Sequence, residues 1–434
     1  MYDACVVGVK IAVVGGGSTY TPELVEGFVS RDARLPVDEL VLLDVDAERL
    51  EVVGGLAGRM LRRAGWSGSL VLTSRRDEAL DGAQFVIVQL RVGGQAARLS
   101  DETIPLRFGC IGQETTGPGG FAKALRTVPV VLELAEETTR RAAPGAWLVD
   151  FTNPTGLVTQ ALLDEGHRAL GLCNVAINLQ RGFAKHFGVE PERVQLEHVG
   201  LNHLSWERAV FVDGVDRLPE MLDTSLETLA EETEMPAELL TTIRAVPSSY
   251  LRYYYFTRAV LKRQRSEGTR AEEVMQIERG LLELYRDPSL EVKPKLLEER
   301  GGAFYSDAAA ALVASLHAGT GDVQVVNVRN DGAIPNLPDE AVVEVSARVD
   351  NDGAHPLPVA PLAPDMLGLV EHAKAYELLT ARAAMSGDRA LALTALITNP
   401  LVGDFDVARP LLTALIEANR AHLPRFFPNR GRGA

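Results

Sequence analysis

Apolar positions along the chain fall first in short unbroken runs and then at helical spacing. Residues Ile11 to Val14 form one run, three glycines follow, and Leu24, Val25 and Phe28 then share one face of a helix. A second run, Leu40 to Leu43, comes after a helix-sized interval and ends at Asp44. Further runs at Ser69 to Ser74, Phe85 to Leu90, Trp147 to Phe151 and Ala169 to Cys173 are separated by helical patterns. Continuous apolar strands alternating with helices predict an α/β fold, a Rossmann-like doubly wound parallel sheet.

Beyond this the pattern changes to shorter strands and longer polar helices. It includes QLEHVGLNHLSWERAVFV, the tyrosine cluster SSYLRYYYF and an amphipathic helix from Thr269 to Tyr285. Val323 to Arg348 reads as two strands round Asn330, Asp331 and Gly332, and Pro364 to Leu423 as Ala/Leu-rich helices. The expected division is a dinucleotide-binding domain at 1–175 and an α+β domain at 176–434. Gly93 to Ala124, rich in Gly, Thr and charge, is expected to be a loop that covers or lines a site.

The glycine turn carries the first chemistry. Gly15 and Gly17 supply turn geometry and close backbone approach, Ser18 and Thr19 add hydroxyl donors, and Pro22 suits a first helical turn. A helix N-terminus behind such a turn binds pyrophosphate, and Asp44 stands where a carboxylate accepts hydrogen bonds from a ribose diol. The third glycine of the fingerprint is replaced by Tyr20, which leaves an ordinary strand–helix turn as the alternative. The acid at Asp44 favours NAD over NADP, and Arg49 one helical turn later leaves a 2′-phosphate disfavoured rather than excluded.

Charge narrows the partners. The 434 residues carry a formal net charge of −15, so nucleic acid and anionic membrane surfaces are both repelled, and an anionic substrate needs a local basic pocket. Cys5, Cys110 and Cys173 are too few for a disulfide framework and fit a reducing compartment. With no charged-then-apolar leader pattern and no run of membrane-spanning length, the expected location is cytoplasmic.

Arg91, Asn153, Cys173 and Asn174 each follow an apolar run, where ligands of open parallel sheets sit. Cys173 and His203 admit two readings, a buried thiol with a core imidazole, or two ligands of one cation whose open positions take a sugar's vicinal hydroxyls. Tyr250 lies in an aromatic cluster of core type; as a base it needs a cation or an arginine to lower its ordinary pKa of about 10. Glu114 is expected to accept its hydrogen bond. Arg98, Asn153 and Arg270 together offer two guanidinium groups and an amide for a phosphate.

The segments LRVGGQAARLSDETIPLRFG, GQETTGPGG, TNPTG, LCNVAIN, GLNHLSW, SSYLRYYYF, TRAEEV and RGGAFYSDAA resemble glycoside hydrolase family 4, most closely its 6-phospho-β-glucosidase branch. The resemblance runs from Lys10 to the GAIPNLP segment and beyond. It implies a lactate/malate-dehydrogenase-like fold and a redox route: NAD⁺ takes hydride from C3, a base removes the C2 proton, the aglycone leaves by elimination, water adds and hydride returns. Cys173 and His203 then look like ligands of a divalent metal, usually Mn²⁺, with Tyr250 as the C2 base and Glu114 raising its basicity. Arg98, Asn153 and Arg270 match substrate and phosphate contacts.

Asn174, where α-specific members look like Asp, matches the β-specific pattern. Ala176 stands where the family often has proline, which implies a less rigid loop beside the metal. The implied substrate is a phosphorylated β-glucoside, and the implied assembly a homodimer or homotetramer, with residues 176–434 serving substrate, metal and oligomerisation. Three alternatives remain: an NAD-dependent 2-hydroxy-acid dehydrogenase, specificity for unphosphorylated β-glucosides within the same family, and a non-catalytic nucleotide sensor.

Overall fold

The computed structural model describes residues 8–300 and 304–427. Cys5 and residues 301–303 of the RGGAFYSDAA segment lie outside them. Thirteen strands are present among the described residues: β1 (Val9–Val14), β2 (Val37–Leu43), β3 (Ser69–Thr73), β4 (Phe85–Val88), β5 (Trp147–Asp150), β6 (Ala169–Gly171), β7 (Val194–Leu201), β8 (Leu204–Val212), β9 (Val215–Asp216), β10 (Val246–Pro247), β11 (Asp322–Arg329), β12 (Val342–Asp350) and β13 (Gly353–Pro356).

The first six strands pair in parallel in the order β3-β2-β1-β4-β5-β6, the doubly wound arrangement. Their side chains explain why the runs are apolar throughout. Ile11 and Val13 of β1 pack on one face with Leu40 and Leu42, whereas Ala12 and Val14 pack on the other with Val41 and Leu43. A strand buried on both faces has no position left for a polar residue. The predicted helix face is there too: Leu24, Val25 and Phe28 of helix Thr21–Val29 are buried against the first face.

Strands β11, β12 and β13 extend this sheet to nine by antiparallel pairing, β11 lying against β6 through Asn327 and Gly171. The sheet therefore crosses the expected boundary at residue 175. A second, antiparallel sheet contains β10, β8 and β7, with β9 on β8. Asn330 closes the turn after β11 by bonding Ile334 and Leu337, so the link to β12 is longer than a tight hairpin. Among the described residues no helix is long and apolar enough to cross a membrane.

The expected loop at Gly93–Ala124 is a correction. Gly94–Arg107 is a helix and a second helix, Gly117–Arg141, begins inside the stretch, leaving only a short link between them. The glycines mark crowding: a Cβ on Gly119 would lie 2.1 Å from the Gln113 carbonyl oxygen, and one on Gly120 2.0 Å from that of Thr115. Arg126 in the second helix pairs with Asp101 in the first, both fully buried, and joins the two. Ala176 is likewise in the first turn of helix Val175–Phe187, buried, rather than in a loop.

Gly119→Ala should therefore cost about 1–3 kcal/mol of stability, read as a lower denaturant midpoint, because the carbonyls it meets belong to fixed backbone. An unchanged midpoint would show that the helix can move aside.

Candidate functional site

The glycine turn is held from three sides. Gly15 has φ 89°, and a Cβ there would lie 2.7 Å from the Gln89 carbonyl oxygen, so only glycine lets β1 pass β4 at this point. The Gly17 amide donates to Asp44 Oδ2 at 2.9 Å, which brings the end of β2 onto the turn. Arg49 donates from Nε to the Gly17 carbonyl at 2.7 Å and pairs with Glu278, so the guanidinium beside Asp44 is engaged with the protein. Helix Arg270–Arg286 reaches the same turn: Tyr285 donates to the Thr19 carbonyl at 2.8 Å, and Thr19 Oγ1 donates to Glu278 at 3.4 Å. Ser18 sits between them, its hydroxyl accepting from the Tyr20 amide. Tyr20, at the place of the missing glycine, lies under the Arg300 guanidinium at 4.0 Å.

Cys173 and Asn174 follow β6, and Asn174 leads into helix Val175–Phe187. His203 occupies the tight connection between β7 and β8 with φ 64°, a backbone conformation that turns its ring inward from the hairpin tip. Its Nε2 lies 3.2 Å from Cys173 Sγ, 30 residues away. Tyr250, in the 3-10 turn Ser249–Leu251 after β10, stacks on the His203 ring with centroids 3.7 Å apart and planes 6° from parallel. Burial pushes its phenol well above the usual range, while Arg98 pulls it down. Burial also raises the Cys173 thiol and lowers His203 to about 4, favouring a neutral imidazole with a free nitrogen.

Glu114 is buried within a cationic cage. Arg91 and Lys123 both bond its Oε2, Lys123 at 2.9 Å, and Arg98 Nη2 stands 3.5 Å from Oε1. Arg91, Arg98 and Lys123 hold this carboxyl well below the usual range despite its burial. Lys123 is depressed to about 7 by burial and by the neighbouring Arg91. Arg98 also pairs with Glu102, whose second oxygen accepts from the Ala271 amide at 2.8 Å. Arg98 is thus tied to the start of the helix that carries Arg270. The Arg270 guanidinium itself is half exposed, paired with Glu273 and bonded to the Glu299 carbonyl. Asn153 follows β5, with Thr155 Oγ1 3.5 Å from its Oδ1.

The structure brings Cys173, His203 and Tyr250 into direct contact and sets Glu114 beside Arg98, bonded by Arg91 and Lys123 rather than by the Tyr250 hydroxyl, while Arg270 pairs instead with Glu273 and the Glu299 carbonyl. Sequence reasoning passed over Lys123, although it lies within Gly93–Ala124, and over His198, Glu207 and Glu344. The last three gain meaning only from partners 9 and 146 residues apart. A surface hollow of about 350 Å³ lined by Ser30, Arg31, Ala33, Arg34, Arg181 and Asp307 shares no residue with this cluster.

The donor set fits a divalent cation. A nitrogen at about 2.1 Å and a sulfur at about 2.3 Å from one ion stand about 3 Å apart at a right angle, close to the observed separation. Among the described residues no third His, Cys, Asp or Glu completes a cluster, so remaining positions would fall to small oxygen ligands. The glycine turn with Asp44 fits a dinucleotide on its pyrophosphate and ribose sides.

Strand order and glycine turn are those of a lactate/malate-dehydrogenase-like fold. Malate dehydrogenase from Plasmodium falciparum shares that fold, with a TM-score of 0.55 at 15% identity over 87% of this chain and 98% of its own. Two family models match the chain, one described as family 4 glycosyl hydrolase over residues 10–189 and one as its C-terminal domain over 198–402. The chain belongs to glycoside hydrolase family 4. It is 44% identical to a probable 6-phospho-beta-glucosidase of Bacillus subtilis, across 97% of this chain and 98% of that one. A solved 6-phospho-beta glucosidase from Thermotoga maritima, with manganese, NAD⁺ and glucose-6-phosphate, matches with a TM-score of 0.90 at 37% identity, over 95% and 99% of the two chains.

Two measurements check the site. Cys173→Ala and His203→Ala should each abolish tight Mn²⁺ binding in a titration followed by electron paramagnetic resonance while leaving NAD⁺ affinity intact; retained binding in both would separate the pair from the metal. Glu278, buried against Arg300 and Arg49, has its carboxyl lowered from 4.5 to about 2. Its ionised form is favoured in the fold, so that stabilisation is complete above 4.5 and is lost as pH falls towards 2. The amount is about 3 kcal/mol, and Glu278→Gln should cost about that much near pH 6 and much less near pH 3. Equal losses at both pH values would remove its charge from the account.

Proposed function

We propose that the chain is a cytoplasmic NAD⁺- and Mn²⁺-dependent 6-phospho-β-glucosidase, working as a homodimer or homotetramer on phosphorylated β-glucosides. The observation that carries this reading is the contact of Cys173, His203 and Tyr250, drawn from three separate segments of a family 4 chain. NAD⁺ held by Gly15, Gly17, Ser18, Thr19 and Asp44 supplies a hydride acceptor, and a divalent cation held by Cys173 and His203 supplies Lewis acidity.

The remaining work falls to the chain. Tyr250 takes the C2 proton from a sugar whose C3 has become a carbonyl; burial, Cys173, Tyr253 and Glu114 raise its phenol, which makes it a strong base once ionised, and Arg98 opposes them. Glu114 keeps Arg91, Arg98 and Lys123 gathered on one carboxylate, and Glu114 and Arg98 both act on the Tyr250 phenol. Arg98, Asn153 and Arg270 take the phosphate, a local basic patch in an acidic protein. Asn174 adjoins the metal cysteine without an ionisable group, which supports the β-linked substrate. Residues 1–175 carry the nucleotide, and 176–434 the histidine, the base and the assembly contacts.

A chromogenic 6-phospho-β-glucoside should be cleaved only with both NAD⁺ and Mn²⁺ present, with no net NADH, and its unphosphorylated counterpart far more slowly. Cleavage that survives removal of NAD⁺, or steady accumulation of NADH, would overturn the reading. Tyr250→Phe should lose roughly 10²–10⁴ in rate, the contribution of a positioned base, and deuterium at C2 should wash out into water in the parent enzyme.

A further inference from the structure

Behind the Cys173–His203 pair lies a buried chain of charges that the proposed reaction does not use. His198 on β7 stands opposite Glu207 on β8, and Asn327 on β11 stands opposite Glu344 on β12. The two cross-strand pairs meet where the two sheets touch: His198 bonds Glu207 Oε1 through Nδ1 at 2.6 Å and Glu344 Oε2 through Nε2 at 3.1 Å. Glu344 Oε1 accepts from the side-chain amides of Asn327 and Asn202, each at 3.0 Å. Asn202 immediately precedes His203 in the two-residue connection between β7 and β8. An unbroken path therefore runs from Glu207 to Asn202, the residue next to His203.

The arrangement carries net charge. With a carboxylate on each ring nitrogen, His198 donates at both and is an imidazolium, and its pKa is raised to about 10 by the two acids against the effect of burial. Two carboxylates and one imidazolium leave one negative charge, and His198, Glu207 and Glu344 are each at most 1% exposed. Among the described residues no Lys or Arg pairs with either acid. As a rivet between sheets this is a poor choice, since apolar residues of similar volume do that work at least as well. A buried negative excess is instead suited to stand beside a cation.

We propose that Glu344, fixed by His198 and Glu207 and bonded to the side-chain amide of Asn202 beside His203, is the outer carboxylate that sets the affinity of the Cys173–His203 pair for a divalent cation. It is a positioning residue: it holds the turn that carries His203 and adds negative charge without touching substrate. The inference rests on Cys173 and His203 being the ligands, and the controls separate the two claims.

Mn²⁺ titrations of the full chain, followed by electron paramagnetic resonance, should show Glu344→Gln binding about 10- to 100-fold more weakly than the parent, the range expected for loss of an outer-shell partner. NAD⁺ affinity should stay unchanged, and at saturating Co²⁺ the thiolate-to-metal absorption band should shift, which a merely structural role would not produce. Should Glu344→Gln fail to fold, Glu207→Gln removes a charge from the far end of the path and should weaken Mn²⁺ in the same direction by a smaller factor. Affinity unaltered in whichever of these variants folds, with Cys173→Ala still losing the metal, overturns this proposal alone. Affinity unaltered in Cys173→Ala as well overturns the ligand reading beneath it.

Discussion

The site depends on a seam. The parallel sheet delivers Cys173 just past the end of β6, the antiparallel sheet delivers His203 at the tip of its β7–β8 hairpin, and the two side chains meet at 3.2 Å. Neither sheet alone could present both side chains. The contact between β11 and β6 and the His198–Glu344 bond between the sheets hold the seam in register. Because the hairpin tip is a left-handed residue locked by pairing on both sides, the imidazole has little freedom to leave.

Electrostatics then distinguish the site from the molecule around it. A chain with a net charge of −15 repels anions at a distance, yet Arg91, Arg98 and Lys123 converge on a single carboxylate at Glu114. A second buried charge group, Glu207–His198–Glu344, lies at the contact between the two sheets.

Much of the fold could be read directly. Doubly buried strands leave a continuous apolar signature, so β1 to β6 lie where the runs predict them, and the helices at 21–29, 270–286 and 364–386 follow their periodicity. The error at Gly93–Ala124 came from reading glycine as flexibility. Gly119 and Gly120 serve close packing against Gln113 and Thr115, a role that looks the same in sequence and differs only in what lies opposite. Ala176 shows the same limit, since a residue judged by its neighbours in a motif sits in an ordered helical turn.

Local order decided the strands, the glycine turn, the acid at the end of β2 and the membership of a family whose motifs occur in sequence. What only tertiary structure decided are the pairings that make chemistry: Cys173 with His203, Tyr250 against that ring, three cations on Glu114, and Glu344 reached by His198 across 146 residues. The physical reason is range. Secondary structure follows from periodicities of a few residues, whereas a buried charge is tolerable only beside its partner, and that partner is chosen by how sheets stack rather than by spacing along the chain.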